Sequence, residues 1–359
     1  MAKKKILLFT TQLLKTGGIE SHIQQFTIQM ASNGDSDVYI FVLNSKLSDD
    51  QVNNLKKYTC ASVFSKKNSI TELFKMIRFI FFSMFIKYDA LYTNGQGNSI
   101  YLISKCFRYR KWVHHHHTAG DKADQQTWPS WYIKALIQAN IVIACSTKNA
   151  FDMQSVLNRE VITVPCFSRP IRSNSIKQIS TQDDIVNFGY YGRLIPEKGI
   201  DLIGKLSNHD DMAKIKFHIW GEGKQYPPDY FKRYPNLNYH GVFHGLEELT
   251  KVLDQIDAYL LLSTHPEGLP ISLLEAMSAG VPWIATNRGG INDIACDPLS
   301  TRVINSLTDF DVVKKEILSF VADIRSGKIS RQKQKELYES KFSPAVLVKR
   351  WNKILYDTY

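Results

Sequence analysis

The chain has 359 residues, 44% of them hydrophobic and 22% charged, the balance of a globular protein too long for one comfortable core and suited to two domains. Its five cysteines, Cys60, Cys106, Cys145, Cys166 and Cys296, are odd in number, scattered and without a C-x-x-C pair, which argues against a disulfide framework and for a reducing cytoplasm with buried thiols. The net charge of +11 is uneven, with 21 Lys and Arg against 11 Asp and Glu over residues 1–170 and 24 against 23 over 171–359, so the first half is expected to meet an anionic partner, nucleic acid or a membrane surface.

The basic start is followed by an apolar run that stops after four residues and reads as a first strand, 6–9, rather than a leader. Leu14-Lys-Thr-Gly-Gly-Ile-Glu-Ser21 then opens a helix, where Gly17 and Gly18 either present amides to a diphosphate or serve only the turn. Asp35-Ser-Asp37 has the D-x-D spacing of a metal-diphosphate site, but it precedes a strand and reads as a turn. Residues 73–87 are aromatic, apolar and punctuated by Lys75, Arg78 and Lys87. They are too short to span a bilayer. They read either as an interfacial helix, aided by Arg108, Arg110 and Lys111, or as a core helix under the sheet.

Strand-like segments at 6–9, 38–42, 90–93, 112–114, 141–144 and 161–164 alternate with helical stretches, the pattern of a parallel sheet with crossover helices. After Pro165 the chain turns polar, and a domain boundary is expected near residue 170. Segments at 185–191, 216–220, 237–240, 258–262 and 283–285 predict a second such unit, with ligands at the strand carboxyl ends. The tail has apolar residues at helical spacing, Val348, Trp351, Ile354 and Leu355.

Chemistry is expected at a few places along these elements. In Trp112-Val-His-His-His-His-Thr-Ala-Gly120 the adjacent histidines alternate faces of a strand instead of converging on a metal. Phe188-Gly-Tyr-Tyr-Gly-Arg-Leu-Ile-Pro-Glu-Lys-Gly199 sets Arg193 and Lys198 in a strand-to-helix loop. Such a cation pair suits the negative charge that grows on a departing nucleoside diphosphate, without a metal. Trp220-Gly-Glu-Gly223 and His240-Gly-Val-Phe243 are glycine turns that a flat base could approach. In segment 266–282, Pro270 suits the first turn of a helix and Gly280 its end, so Glu267 precedes the helix and Glu275 lies within it. Eight residues at helical rise span roughly 12 Å, the reach from the sugar of a nucleotide-sugar to its ribose.

Glu267, Gly268, Pro270, Glu275, Ala276, Gly280 and Pro282, continued by Thr286-Asn-Arg-Gly-Gly-Ile-Asn-Asp-Ile294, resemble the E-x7-E region of retaining glycosyltransferases of the family 4 type. Arg193 and Lys198 match the G-R-x-x-x-x-K-G pattern of that family. The resemblance implies an α/β, GT-B fold: two Rossmann-like doubly wound domains facing a cleft, 1–170 on the acceptor side and 171–342 on the donor side, with the helix of 343–359 crossing back to the first. It also implies retaining, metal-independent transfer of a hexose from a nucleoside diphosphate sugar, with no cofactor.

In that scheme Arg193 and Lys198 assist the leaving group. Glu267 orients the sugar with the amides of Gly268 and Leu269, and Glu275 takes the ribose hydroxyls. Gly192, Gly221, Val242 and Phe243 border the base, uridine or guanosine ranking ahead of adenosine. Gly17 and Gly18 reach the diphosphate, and His117 contacts the sugar or its developing positive charge. Charge and aromatic content favour a lipid-linked saccharide acceptor at the cytoplasmic face of an anionic membrane, as in assembly of O-antigen or capsule polysaccharide. A nucleotide-sugar 2-epimerase and a catalytically silent saccharide- or membrane-binding module are the alternatives. Nucleic-acid binding lacks a recognition motif, and a dehydrogenase lacks G-x-G-x-x-G after the first strand.

Overall fold

The computed structural model describes residues 3–33, 36–66, 70–171, 185–305 and 309–357. Asp35 of the D-x-D spacing, and residues 172–184 of the polar stretch, lie outside these. The chain divides into two compact units, Met1–Phe167 with Pro344–Tyr359, and Ser168–Ser343.

The first unit is built on a seven-stranded sheet of β1 (Lys4–Thr10), β2 (Ser36–Val42), β3 (Ala61–Phe64), β4 (Lys87–Asn94), β5 (Arg108–His116), β6 (Ile141–Ala144) and β7 (Ile162–Thr163). Their order is β3-β2-β1-β4-β5-β6-β7 and every pairing is parallel. Ile6, Leu7, Leu8 and Phe9 are all buried, as expected of a parallel strand covered on both faces. One face packs under the Gly18–Ser32 helix through Ile23, Phe26 and Met30, and also takes Leu347, Val348, Trp351, Ile354 and Leu355 of the terminal Pro344–Tyr356 helix. Trp351 meets Phe26 edge to face at 5.0 Å, so the last helix of the chain completes the core of the unit that its first residues begin. The opposite face packs Leu7, Phe9, Trp112 and Val142 against Tyr132, Ala135 and Met153.

The second unit has six parallel strands, β8 (Val186–Tyr191), β9 (Ile215–Trp220), β10 (Leu237–Tyr239), β11 (Ala258–Leu261), β12 (Trp283–Thr286) and β13 (Thr301–Ile304), in the order β10-β9-β8-β11-β12-β13. Strand order reverses between β1 and β4 in one sheet and between β8 and β11 in the other. In doubly wound sheets this is where the loops at the carboxyl ends part and leave a ligand crevice. Short edge strands β3 and β13 were absent from the sequence pattern, and Asp37, read there as part of a turn, lies inside β2.

Candidate active site

In the second unit the turns that follow β8, β9 and β10 are joined edge to edge. Gly192 N–H donates to the Trp220 carbonyl (3.1 Å), Gly221 N–H to that of Gly241 (2.8 Å), and Leu194 N–H to that of Glu222 (2.9 Å). The resulting floor at the carboxyl ends holds Val242 exposed, while Phe243 meets Tyr191 edge to face at 5.7 Å.

Two loops converge beside that floor. After Gly192 the chain makes a short 3-10 turn, Pro196–Lys198, ended by Gly199 at φ +75°. A Cβ there would stand 2.2 Å from the Leu262 carbonyl oxygen, so only glycine lets the loop lie against the end of β11. Thr264 N–H donates to the Glu197 carbonyl (2.8 Å) and closes the seam. This brings Lys198 Nζ to 2.5 Å from Glu267 Oε1, an oxygen that also accepts from Ser263 Oγ. Among the described residues, Glu267 Oε2 has no hydrogen-bond partner. The Glu267 backbone is fixed from below by Gly290 N–H (3.0 Å) and by Gly289 at φ +56°, where a Cβ would fall 1.8 Å from the Glu267 carbonyl oxygen. The Gly-Gly pair of segment 286–294 is therefore a seat for Glu267.

Arg193 is exposed and, among the described residues, has no ion-pair partner; its carbonyl accepts from Tyr190 Oη at 2.8 Å. Burial pushes the Tyr190 phenol well up, with Tyr259 and then Glu267 adding to the rise and Arg193 opposing it. Burial likewise raises Tyr259, and both Glu275 and Glu267 add to it. Tyr190 and Tyr259 stack at 6.3 Å, so Arg193, Glu267 and Glu275 all act on one pair of stacked phenols.

Glu275 lies in the Ile271–Ser278 helix, whose N-cap is Pro270 rather than a first-turn residue. Its side chain is only 3% exposed and ion-paired, with Arg169 Nε at 2.6 Å from Oε1 and Tyr191 Oη at 3.2 Å from Oε2. The ribose contact expected of Glu275 thus belongs to a carboxylate that the protein already holds from two sides. Arg169 sits in what the sequence presents as polar linker, and no motif marks it. Gly268 and Leu269, expected to orient the sugar, are largely covered and follow Glu267 directly into that helix.

In the first unit, two of the expected contact points have partners supplied by the chain itself. Glu20, in the first turn of the Gly18–Ser32 helix, folds back so that Oε1 accepts from Leu14 N–H (2.8 Å), and Oε2 would be 2.2 Å from a Cβ on Gly17. The Glu20 side chain of the chain itself therefore lies beside Gly17, in the loop where the diphosphate contact was expected. His117 is the second. Its Nε2 faces the Asn94 amide at 2.5 Å, and its Nδ1 faces Cys145 Sγ at 3.4 Å and Cys166 Sγ at 3.5 Å. Both nitrogens therefore have partners inside the unit.

The neighbouring histidines follow the alternation. His114 Nε2 and His116 Nδ1 meet Tyr132 Oη at 2.9 and 2.8 Å, and His116 Nε2 meets Asp124 at 2.9 Å. His115 turns the other way, to Tyr92 Oη (2.9 Å) and Cys145 Sγ (3.3 Å). Burial lowers His114, His115 and His117 below the ordinary histidine range.

The Ile70–Met84 helix is largely unburied on its outer side. Phe74, Phe81 and Phe85 just beyond it are 67%, 65% and 73% exposed, whereas Phe79 packs inward. That excludes the reading of a helix sunk in the core. Lys75 pairs with Glu72 (2.7 Å), Arg78 is exposed, and Lys87, Arg108 and Arg110 are exposed where β4 and β5 begin, Lys87 in register with Arg108. Lys111 departs from this group, because it donates to the carbonyls of Ile354 (3.0 Å) and Asp357 and so ties down the terminal helix. Among the described residues, no helix is long and apolar enough to cross a membrane.

Residues 172–337 match the family described as glycosyl transferases group 1. The whole chain is similar to an uncharacterized glycosyltransferase of Methanocaldococcus jannaschii, 23% identical over 395 aligned residues, 99% of this chain and 98% of that protein. Among solved structures, the lipopolysaccharide outer core galactosyltransferase WaaB superposes with a TM-score of 0.70 at 18% identity, covering 98% of this chain and 99% of that one. Anabaena HepE, solved with UDP and glucose, gives 0.72 at 15% identity over 98% and 100%. Two parallel-sheet Rossmann-like units, the matched domain and these relatives together make the chain a glycosyltransferase of the GT-B type.

Proposed function

We propose that the chain moves a hexose, with retention, from a nucleoside diphosphate sugar to a hydroxyl of a saccharide acceptor. The observation that carries this is the Lys198–Glu267 pair at 2.5 Å, in the loop at the carboxyl end of a doubly wound sheet that also carries Arg193, which has no ion-pair partner among the described residues. Arg193 and Lys198 would meet the diphosphate as the bond to the sugar breaks, supplying positive charge where negative charge develops, with no metal called for in that step. Glu267, held by Lys198 and Ser263 through one oxygen, keeps the other for a sugar hydroxyl, next to the amides of Gly268 and Leu269. Glu275 serves the ribose through its remaining lone pairs, with Arg169 fixing its orientation. The turns at Gly192, Gly221, Val242 and Phe243 border the base, and uridine is the first candidate because HepE was solved with UDP.

The acceptor belongs to the first unit on this reading. A groove of about 650 Å³ is lined by the polar groups of Thr11, Gln12, Asn44 and Gln96 on one side and by Ile70, Leu73 and Met76 on the other. Hydroxyl-bonding groups that run into an apolar helix suit a saccharide carried on a lipid. The exposed aromatics of the Ile70–Met84 helix, with Arg78, Lys87, Arg108 and Arg110, suit an anionic membrane surface, and WaaB, a lipopolysaccharide galactosyltransferase, supports a role in surface polysaccharide assembly. Incubation of the purified chain with UDP- and GDP-hexoses tests the donor. Slow release of free hexose and nucleoside diphosphate is expected; an altered nucleotide-sugar with no free hexose would make it an epimerase instead.

A further inference from the structure

Two cysteines that form no sequence motif meet two histidines of the four-histidine run. Parity explains the meeting. His115 is in register with Ile143 on β6, and Ala144 with Thr163 on β7. Positions 113, 115 and 117, then 143 and 145, then 164 and 166, therefore face one side of the sheet, the side whose core includes Val113, Ile143 and Val164. One donor atom from each of His115, His117, Cys145 and Cys166 lies within 4.8 Å of all the others. Cys145 Sγ stands 3.3 Å from Cys166 Sγ, 3.3 Å from His115 Nε2 and 3.4 Å from His117 Nδ1, and Cys166 Sγ is 3.5 Å from His117 Nδ1.

We propose that these four side chains bind one zinc ion. A tetrahedral site with zinc–sulfur and zinc–nitrogen bonds of about 2.3 and 2.05 Å has edges of about 3.4–3.8 Å, and the four separations that involve Cys145 or the Cys166–His117 pair, 3.3, 3.3, 3.4 and 3.5 Å, already stand close to that figure. Two thiols and two imidazoles in a tetrahedron select zinc over magnesium, calcium or manganese. Binding releases one proton from each thiol, and the two thiolates balance the two charges of the ion, leaving a neutral centre suited to this buried place. The second nitrogen of His115 meets Tyr92 Oη, which is how ligating histidines are held in orientation; with zinc on Nδ1, His117 Nε2 carries the proton, and the Asn94 side chain beside it accepts that proton when its amide is turned to present the oxygen. Four protein ligands leave no open position, so the ion is structural. It ties β5 and β6 to the segment around Cys166, the last stretch of the first unit before Ser168. The proposal is independent of the donor chemistry in the second unit.

The test uses the full chain, purified without an affinity tag and without chelator. Elemental analysis is expected to find close to one zinc per chain. The pair Cys145→Ser and Cys166→Ser should reduce this at least tenfold, while the triple change Cys60→Ser, Cys106→Ser and Cys296→Ser keeps it. Replacement of zinc by cobalt in the unaltered chain should give the visible bands of a tetrahedral site with thiolate charge transfer, a readout that needs no variant. Absence of metal after growth in zinc, octahedral cobalt bands, or a Cys145–Cys166 disulfide detected by mass in the freshly purified chain would each overturn the proposal.

Discussion

Arg193 is exposed and has no ion-pair partner among the described residues, so its side chain contributes little to folding; Lys198 is mostly covered and holds Glu267. The two cations should therefore separate in experiment. Arg193→Ala is expected to leave the unfolding free energy within about 0.5 kcal/mol of the unaltered chain while turnover falls on the order of a hundredfold or more. Equal loss of both would make Arg193 a folding residue. Arg169 offers the opposite case, because its removal strands the buried Glu275. Arg169→Ala should destabilise the second unit by about 3 kcal/mol or more, as unpaired buried charges do. Adding Glu275→Gln should restore much of that, and urea unfolding of the single and double variants measures it.

Two elements carry consequences of their own. The terminal Pro344–Tyr356 helix buries Trp351 in the first unit, so Trp351→Ala should cost about 3–5 kcal/mol there, and amide exchange should report the loss in β1, β4 and β5 rather than in β8–β13. The Ile70–Met84 helix exposes its aromatics, and replacing Phe74, Phe81 and Phe85 by serine removes little core packing. That triple variant should partition onto vesicles containing anionic lipid at least tenfold more weakly than the unaltered chain, with its melting temperature nearly unchanged. Unaltered partitioning would take the membrane away from this helix.

At the scale of the whole molecule, the two sheets were legible because buried parallel strands announce themselves as apolar runs, and β1, β6 and β11 lie close to where such runs predict them. Edge strands β3 and β13 were not, since half-exposed four-residue strands such as Ala61–Phe64 have no such signature. Lys198 and Glu267 could be paired from motifs that 69 positions separate. Arg169 and Glu20 could not, because no motif marks either of them. For the cysteines a signal did exist: both follow predicted strands of one sheet, at positions whose parity matches His115 and His117.

The central claim is that Arg193 and Lys198 together receive a nucleoside diphosphate. Calorimetric titration of UDP and GDP, with no added metal, into the unaltered chain and into the Arg193→Ala, Lys198→Ala double variant tests it most directly. Saturable binding of one nucleotide to the unaltered chain, weakened at least tenfold in the variant, is the result expected; equal affinity in both, or no binding to either, would contradict it.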